Sequence, residues 1–90
     1  MASITLYKDA NFEGESITIS EATPDLRELD FNDCVSSIIV DDGEWEFYKD
    51  VNYQSSYDVI FGEGSYSWVE EYGIPNDDIL SLKPLTRWAE

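Results

Sequence analysis

The sequence predicts an all-β single domain, a two-sheet antiparallel β-sandwich, and three observations carry that expectation. Apolar and polar residues alternate in several short runs, the period-two pattern of a strand buried on one face. Gly14, Pro24, Gly62, Gly64, Gly73 and Pro75 punctuate the chain at roughly the 8–12-residue spacing of an antiparallel sandwich or barrel. A segment near the beginning recurs in the second half, and neither half, with about four strands' worth of pattern, could bury its apolar face alone. Ninety residues support one modest core, burying about 60% of the unfolded surface, so two domains are excluded.

The elements follow in chain order. Ile4 and Leu6 alternate with Ser3, Thr5 and Tyr7, and Ile17 and Ile19 alternate with Ser16, Thr18 and Ser20; both runs read as half-buried strands. Pro24 to Leu29 is expected to make one helical turn, with Thr23 as N-cap and Pro24 at the first helical position. Val35 to Val40 and Trp45 to Tyr48 are β-branched or aromatic runs separated by Asp41-Asp42-Gly43-Glu44, a turn signal. Tyr57 to Phe61 and Ile79 to Leu82 complete the set, with no linker composition between them.

Charge and composition narrow the function. At 42% hydrophobic and 14% aromatic the chain is too apolar for disorder. Its net charge of −15 is spread evenly, nine acidic residues in 1–41 and eleven in 42–90. Nucleic acid and anionic membrane are therefore poor partners, since phosphate binding needs clustered Lys and Arg; cations and basic proteins are better ones. The sequence has no His, which removes the commonest general base near neutral pH and the commonest transition-metal ligand. Ser/His/Asp and Cys/His chemistry are excluded by composition, and with twenty acidic residues mere proximity of two carboxylates carries no catalytic information. The chain is not expected to be an enzyme. The single Cys34 makes no internal disulfide. The opening MASITLYKDANF has neither a basic region nor an apolar run of signal-peptide or membrane-span length, so the expectation is a soluble, cytoplasmic monomer.

The internal repeat is more informative. Leu6-Tyr7-Lys8-Asp9-Ala10-Asn11-Phe12-Glu13-Gly14 aligns with Phe47-Tyr48-Lys49-Asp50-Val51-Asn52-Tyr53-Gln54-Ser55 at an offset of 41. Asn32-Asp33-Cys34-Val35-Ser36-Ser37-Ile38 aligns with Asn76-Asp77-Asp78-Ile79-Leu80-Ser81-Leu82 at an offset of 44. Two such halves packed face to face give a sandwich with an approximate two-fold axis.

An aromatic, six residues and then Gly (Tyr7 to Gly14), followed by Asn-Asp-x-x-Ser-Ser (Asn32 to Ser37), resembles a Greek-key motif of the βγ-crystallins, specifically their calcium-binding branch. The second half is similar: Trp45, Tyr48, Asn52 and Tyr53, then the Gly64-Ser65-Tyr66 turn and the Asn76-Asp77 loop. The resemblance runs from residue 3 to about 85 and leaves the tail 86–90 outside. It implies two Greek-key motifs, about 3–41 and about 44–85, forming one βγ-crystallin-like domain.

Calcium suits such a stretch because Ca²⁺ takes 6–8 oxygens from carboxylates, hydroxyls, carbonyls and water. The resemblance implies ligands exchanged across the two-fold. Site one would use the Lys8 and Cys34 carbonyls, the Ser36 hydroxyl and the Asp77 carboxylate. Site two would use the Lys49 and Asp78 carbonyls with the Asp33 carboxylate. Leu80 stands where the family has Ser or Thr, so up to two ions are expected, with site two weaker. A register shifted by one would put Ser81 at that position but would turn the strand's core face outward. The second departure is Ser55, where the family glycine permits a positive φ that serine adopts at a cost of about 1 kcal/mol. Other calcium patterns fit worse: an EF-hand needs Gly at position six and flanking helices, and Gly43 comes too early after Asp41.

Each of these residues also has a plainer reading. Asn32-Asp33 and Asn76-Asp77 suit turns because Asx side chains bond their own backbone; it is the repeat together with Ser36 that favours ligands. Tyr7, Tyr48, Phe12 and Tyr53 are hairpin and core packing, Trp45 and Trp68 are core, and Trp88 lies in the tail. The function expected is a calcium-binding domain with a structural, stabilising or buffering role. The alternative is an acidic protein-interaction or inhibitor module without metal; an acid/base hydrolase would need a cleft with two carboxylates of split pKa.

Overall fold

The computed structural model describes residues 2–31 and 33–85; Asn32 and the tail with Trp88 lie outside them. Seven strands are formed among the described residues: β1 (Ser3–Asp9), β2 (Glu13–Ile19), β3 (Ser37–Asp42), β4 (Trp45–Asp50), β5 (Gln54–Phe61), β6 (Gly64–Tyr66) and β7 (Ser81–Pro84). They make two antiparallel sheets, ordered β2-β1-β3-β6 and β5-β4-β7. The all-β sandwich expected from the sequence is the fold observed.

The alternating runs supply the core. Ile4, Leu6, Ile19, Ile38 and Val40 of one sheet face Trp45, Phe47, Phe61 and Leu82 of the other, all at 5% exposure or less. Fully burying a side chain of this size is worth about 1.5–3 kcal/mol, so these positions dominate the favourable side of folding. Trp45 is core as expected, whereas Trp68 is half-buried at the start of a 3-10 turn.

Several local expectations are refined. The segment 64–66, read as a turn, is a strand: β6 pairs with β3 through Ile38↔Tyr66, Ile39↔Ser65 and Val40↔Gly64. Three residues are too few for a periodic signal, and the strand exists because a partner from the other half holds it. The reciprocal exchange is a single bridge, Thr23 to Leu82 of β7. The turn also starts later than expected, so Thr23 is not its cap: the 3-10 turn spans Leu26–Leu29, the Asp25 side chain accepts from the Arg27 N–H, and the Thr23 hydroxyl donates to the Glu21 carbonyl. Val35 and Ser36 precede β3 and do not join its ladder. The Asp41-Asp42-Gly43-Glu44 turn connects β3 and β4, which lie in different sheets.

Each hairpin is closed by a buried serine. The Ser37 hydroxyl donates to the Asp9 carbonyl (2.6 Å) and accepts from the Phe12 N–H (2.9 Å). Ser81 repeats this with the Asp50 carbonyl (2.6 Å) and the Tyr53 N–H (3.1 Å). Edge-to-face rings complete both folds, Tyr7 on Phe12 at 5.8 Å and Tyr48 on Tyr53 at 5.7 Å. At the glycine position, Gly14 has φ +77° and Ser55 φ +61°. The Ser55 hydroxyl donates to Asp50 at 2.7 Å, a local bond that offsets part of the left-handed strain.

Candidate functional site

The two Asx loops meet where the Greek keys cross. Residue 36 is fixed by main-chain bonds: its N–H donates to the Tyr7 carbonyl (2.9 Å) and its carbonyl accepts from the Val69 N–H (3.0 Å). Leu80 repeats both, to the Tyr48 carbonyl (3.0 Å) and from the Leu26 N–H (2.8 Å). Leu80 therefore occupies the place of Ser36, and Ser81 that of Ser37. The register shifted by one is not adopted, because it would tear Ser81 from the Asp50 and Tyr53 backbone.

The loops are also laced to each other. The Asp77 N–H donates to the Val35 carbonyl (3.2 Å) and the Asp33 N–H to the Ile79 carbonyl (3.4 Å). Asp33 and Asp77 have φ of +54° and +60°, a left-handed conformation that Asp tolerates better than most residues. Turn chemistry thus accounts for aspartate at these positions whatever else they do.

What turn chemistry does not require is the side-chain contact across the halves. The buried Ser36 hydroxyl donates to Asn76 Oδ1 at 2.6 Å and lies 3.4 Å from Asp77 Oδ1. The Asn76 amide in turn donates to Asp77 Oδ2 (3.0 Å), and its N–H to Glu70 Oε2 (3.1 Å). Three oxygens from two halves, 40 residues apart in sequence, are held together. Asn76 stands outside both ligand sets that the resemblance implies; the repeat together with Ser36 points to its loop but not to its side-chain amide.

On the second loop the outcome differs. The Asp78 carboxylate accepts from the Tyr57 hydroxyl at 2.6 Å, and burial, reinforced by that bond, pushes the Tyr57 pKa above its ordinary value. Leu80 offers no oxygen from its side chain. Asp33 reaches this region electrostatically, since it raises the Tyr57 pKa too. Lys8 and Lys49 follow Tyr7 and Tyr48, the residues whose carbonyls receive the Ser36 and Leu80 N–H groups.

Could these residues hold a cation? Among the described residues no three Cys, Asp or Glu side chains converge into a metal-binding cluster. The donor sets expected from the sequence carry only one carboxylate each, the remainder being carbonyls and, in site one, a hydroxyl. Cys34 is half-buried, and burial raises its thiol pKa, opposed by Lys8 and assisted by Asp77 and Asp33. Burial thus disfavours the thiolate form that a soft-metal ligand uses. Oxygen chemistry suits a hard cation better than a transition metal.

Comparison with known proteins gives the lineage. The Beta/Gamma crystallin family profile matches residues 3–85. The chain is similar to the beta gamma crystallin of Ciona intestinalis, with 32% identity and a TM-score of 0.87 over 92% of this chain and 99% of that one. It is also similar to a transition-metal-ion-binding betagamma-crystallin from Methanosaeta thermophila, at 35% identity and TM-score 0.81 over 91% and 99% of the two chains. An epidermal differentiation-specific protein of Cynops pyrrhogaster is 35% identical over 96% of this chain, which spans only 24% of that protein's length. From a profile match over nearly its whole length, and a fold shared at these identities, the chain belongs to the Beta/Gamma crystallin family.

Proposed function

We propose that this domain binds Ca²⁺ where its two Asx loops meet, in a structural, stabilising or buffering role without catalysis. Site one comprises the Lys8 and Cys34 carbonyls, the Ser36 hydroxyl and the Asp77 carboxylate. Site two comprises the Lys49 and Asp78 carbonyls and the Asp33 carboxylate, and is weaker because Leu80 replaces a hydroxyl donor. The observation that carries the reading is the approach of the Ser36 hydroxyl to Asp77 Oδ1 at 3.4 Å across the two halves. A cation there would also relieve carboxylate repulsion in a chain of net charge −15.

Calorimetric titration with CaCl₂ tests this. Heat is expected for the wild type, with site one lost in Ser36→Ala and site two lost in Asp33→Ala. An absence of heat on the wild type would end the proposal, and weakening of one and the same site by both substitutions would refute the ligand exchange. The archaeal relative is described as binding transition-metal ions, so NiCl₂ is the informative competitor. Without His, and with a single Cys, this chain is expected to prefer calcium.

A further inference from the structure

The pseudo-two-fold relation fixes three pairs of equivalent positions by backbone bonding. Ile19 pairs with Ile4 and Phe61 with Trp45, and Ile4 and Trp45 stand at the hairpin offset of 41 residues. Thr23 bridges to Leu82 and Tyr66 pairs with Ile38, the two partners being matched at the loop offset of 44. Leu29 and Tyr72 each end a 3-10 turn whose first residue, Leu26 or Val69, donates to the opposite loop at Leu80 or Ser36. Phe61, Tyr66 and Tyr72 in the second half thus correspond to Ile19, Thr23 and Leu29 in the first.

The two trios differ in one respect. In the second half the three rings pack on one another: Tyr66 stacks on Phe61 at 4.0 Å, and Tyr72 meets them edge-on at 4.9 and 5.7 Å. They join β5, β6 and the 3-10 turn that ends at Tyr72, and the Tyr66 hydroxyl donates to the Gly62 carbonyl. In the first half an isoleucine, a threonine and a leucine occupy the same places, and all three line a groove of about 330 Å³. That volume lies at the small end of ligand sites, which suits a single ring. The groove is where the other half keeps its aromatic packing.

The rim carries charge. Glu21 and Glu28 border the groove and are exposed, while the adjacent Arg27 is committed to Asp25 through two bonds of 2.9 and 2.8 Å. Alongside runs β2, which among the described residues pairs with β1 alone and forms the edge of its sheet; such an edge offers backbone groups to an incoming extended segment. We propose that this groove docks a partner-protein segment that inserts an aromatic side chain among Ile19, Thr23 and Leu29 and sets flanking Lys or Arg residues against Glu21 and Glu28. The aromatic requirement comes from the internal symmetry and the basic one from charge complementarity; neither depends on metal binding.

The test is fluorescence anisotropy of a dye-labelled Lys-Lys-Trp-Lys-Lys peptide against the full chain in calcium-free, low-salt buffer. Replacing the peptide Trp by Ala should weaken binding about tenfold or more, as for an aromatic anchor. Glu21→Gln with Glu28→Gln should weaken it and flatten its salt dependence. Thr23→Tyr with Leu29→Tyr, which restores two of the three rings beside Ile19 and fills the groove, should abolish binding while the melting temperature is kept or raised. Leu29→Trp alone, at a position already 40% exposed, should weaken binding even if the double variant folds poorly. The proposal is overturned if the wild type does not bind, if the Ala peptide binds equally, or if the filled-groove variants bind unchanged. Free indole binding as tightly as the peptide would likewise overturn it, by making the groove a small-molecule site.

Discussion

Ser36 and Ser37 are neighbours with separable roles, and Ser37→Ala is the sharper perturbation. The Ser37 side chain is fully buried and bridges the Asp9 carbonyl and the Phe12 N–H at 2.6 and 2.9 Å. Alanine leaves both backbone groups without that partner. An orphaned buried group costs about 1–3 kcal/mol; because Asp9 is exposed and Phe12 half-buried, water can reach them, and a total of about 2 kcal/mol follows from the low end of that range. Against a domain stability of about 5–15 kcal/mol this is large. Urea unfolding followed by tryptophan fluorescence reads it directly: with a slope of about 1 kcal/mol/M, the midpoint should fall by about 2 M with the slope unchanged. Ser36→Ala, which removes a hydroxyl bonded, among the described residues, to the loop side chains of Asn76 and Asp77, should move the midpoint by less than half as much while abolishing the proposed site one. A Ser37→Ala midpoint within about 0.5 M of wild type, or a larger loss for Ser36→Ala, would refute the assignment of the hairpin clasp to Ser37.

Other outcomes follow from the same geometry. Saturating calcium at a hundredfold excess over Kd should stabilise the fold by about 2.7 kcal/mol, raising Tm by roughly 10–20 °C, with no change in far-UV circular dichroism. Arg27 hydrogen-bonds the Asp25 carboxyl and holds its pKa below the ordinary carboxylate value. Its contribution is therefore complete above about pH 4 and lost as pH falls through the depressed pKa, so Asp25→Asn should lower stability slightly at neutral pH, converge with the wild type below the depressed pKa, and thereby flatten the acid limb of a stability-against-pH curve. A Cβ at Gly14 would lie 2.5 Å from Asp9 Oδ2 at φ +77°. Thermal melts should accordingly rank Gly14→Ala below Gly14→Ser, because serine can donate to Asp9 as Ser55 does to Asp50.

Much of this molecule is legible in its sequence. The Ile4/Leu6 and Ile17/Ile19 alternations locate β1 and β2, and the offsets of 41 and 44 residues locate equivalent hairpins and loops down to the Leu80 for Ser36 replacement. Such features are readable because side-chain direction in a strand and backbone preference in a turn are local properties. Resemblance to a known family adds the crossed-loop arrangement, which composition and periodicity alone do not contain.

Only the tertiary structure decided the rest. β6 became a strand, and Thr23 became a bridge, because partners more than twenty residues away held them. Buried Ser37 and Ser81 became hairpin clasps, Asn76 came to receive the Ser36 hydroxyl, and an aromatic trio in one half stood opposite a groove in the other. The physical reason is common to all of them. A strand's alternation says which face is buried but not which strand lies across from it, and a polar side chain's partner depends on where loop closure brings distant backbone. Those pairings are set only when both sheets are packed.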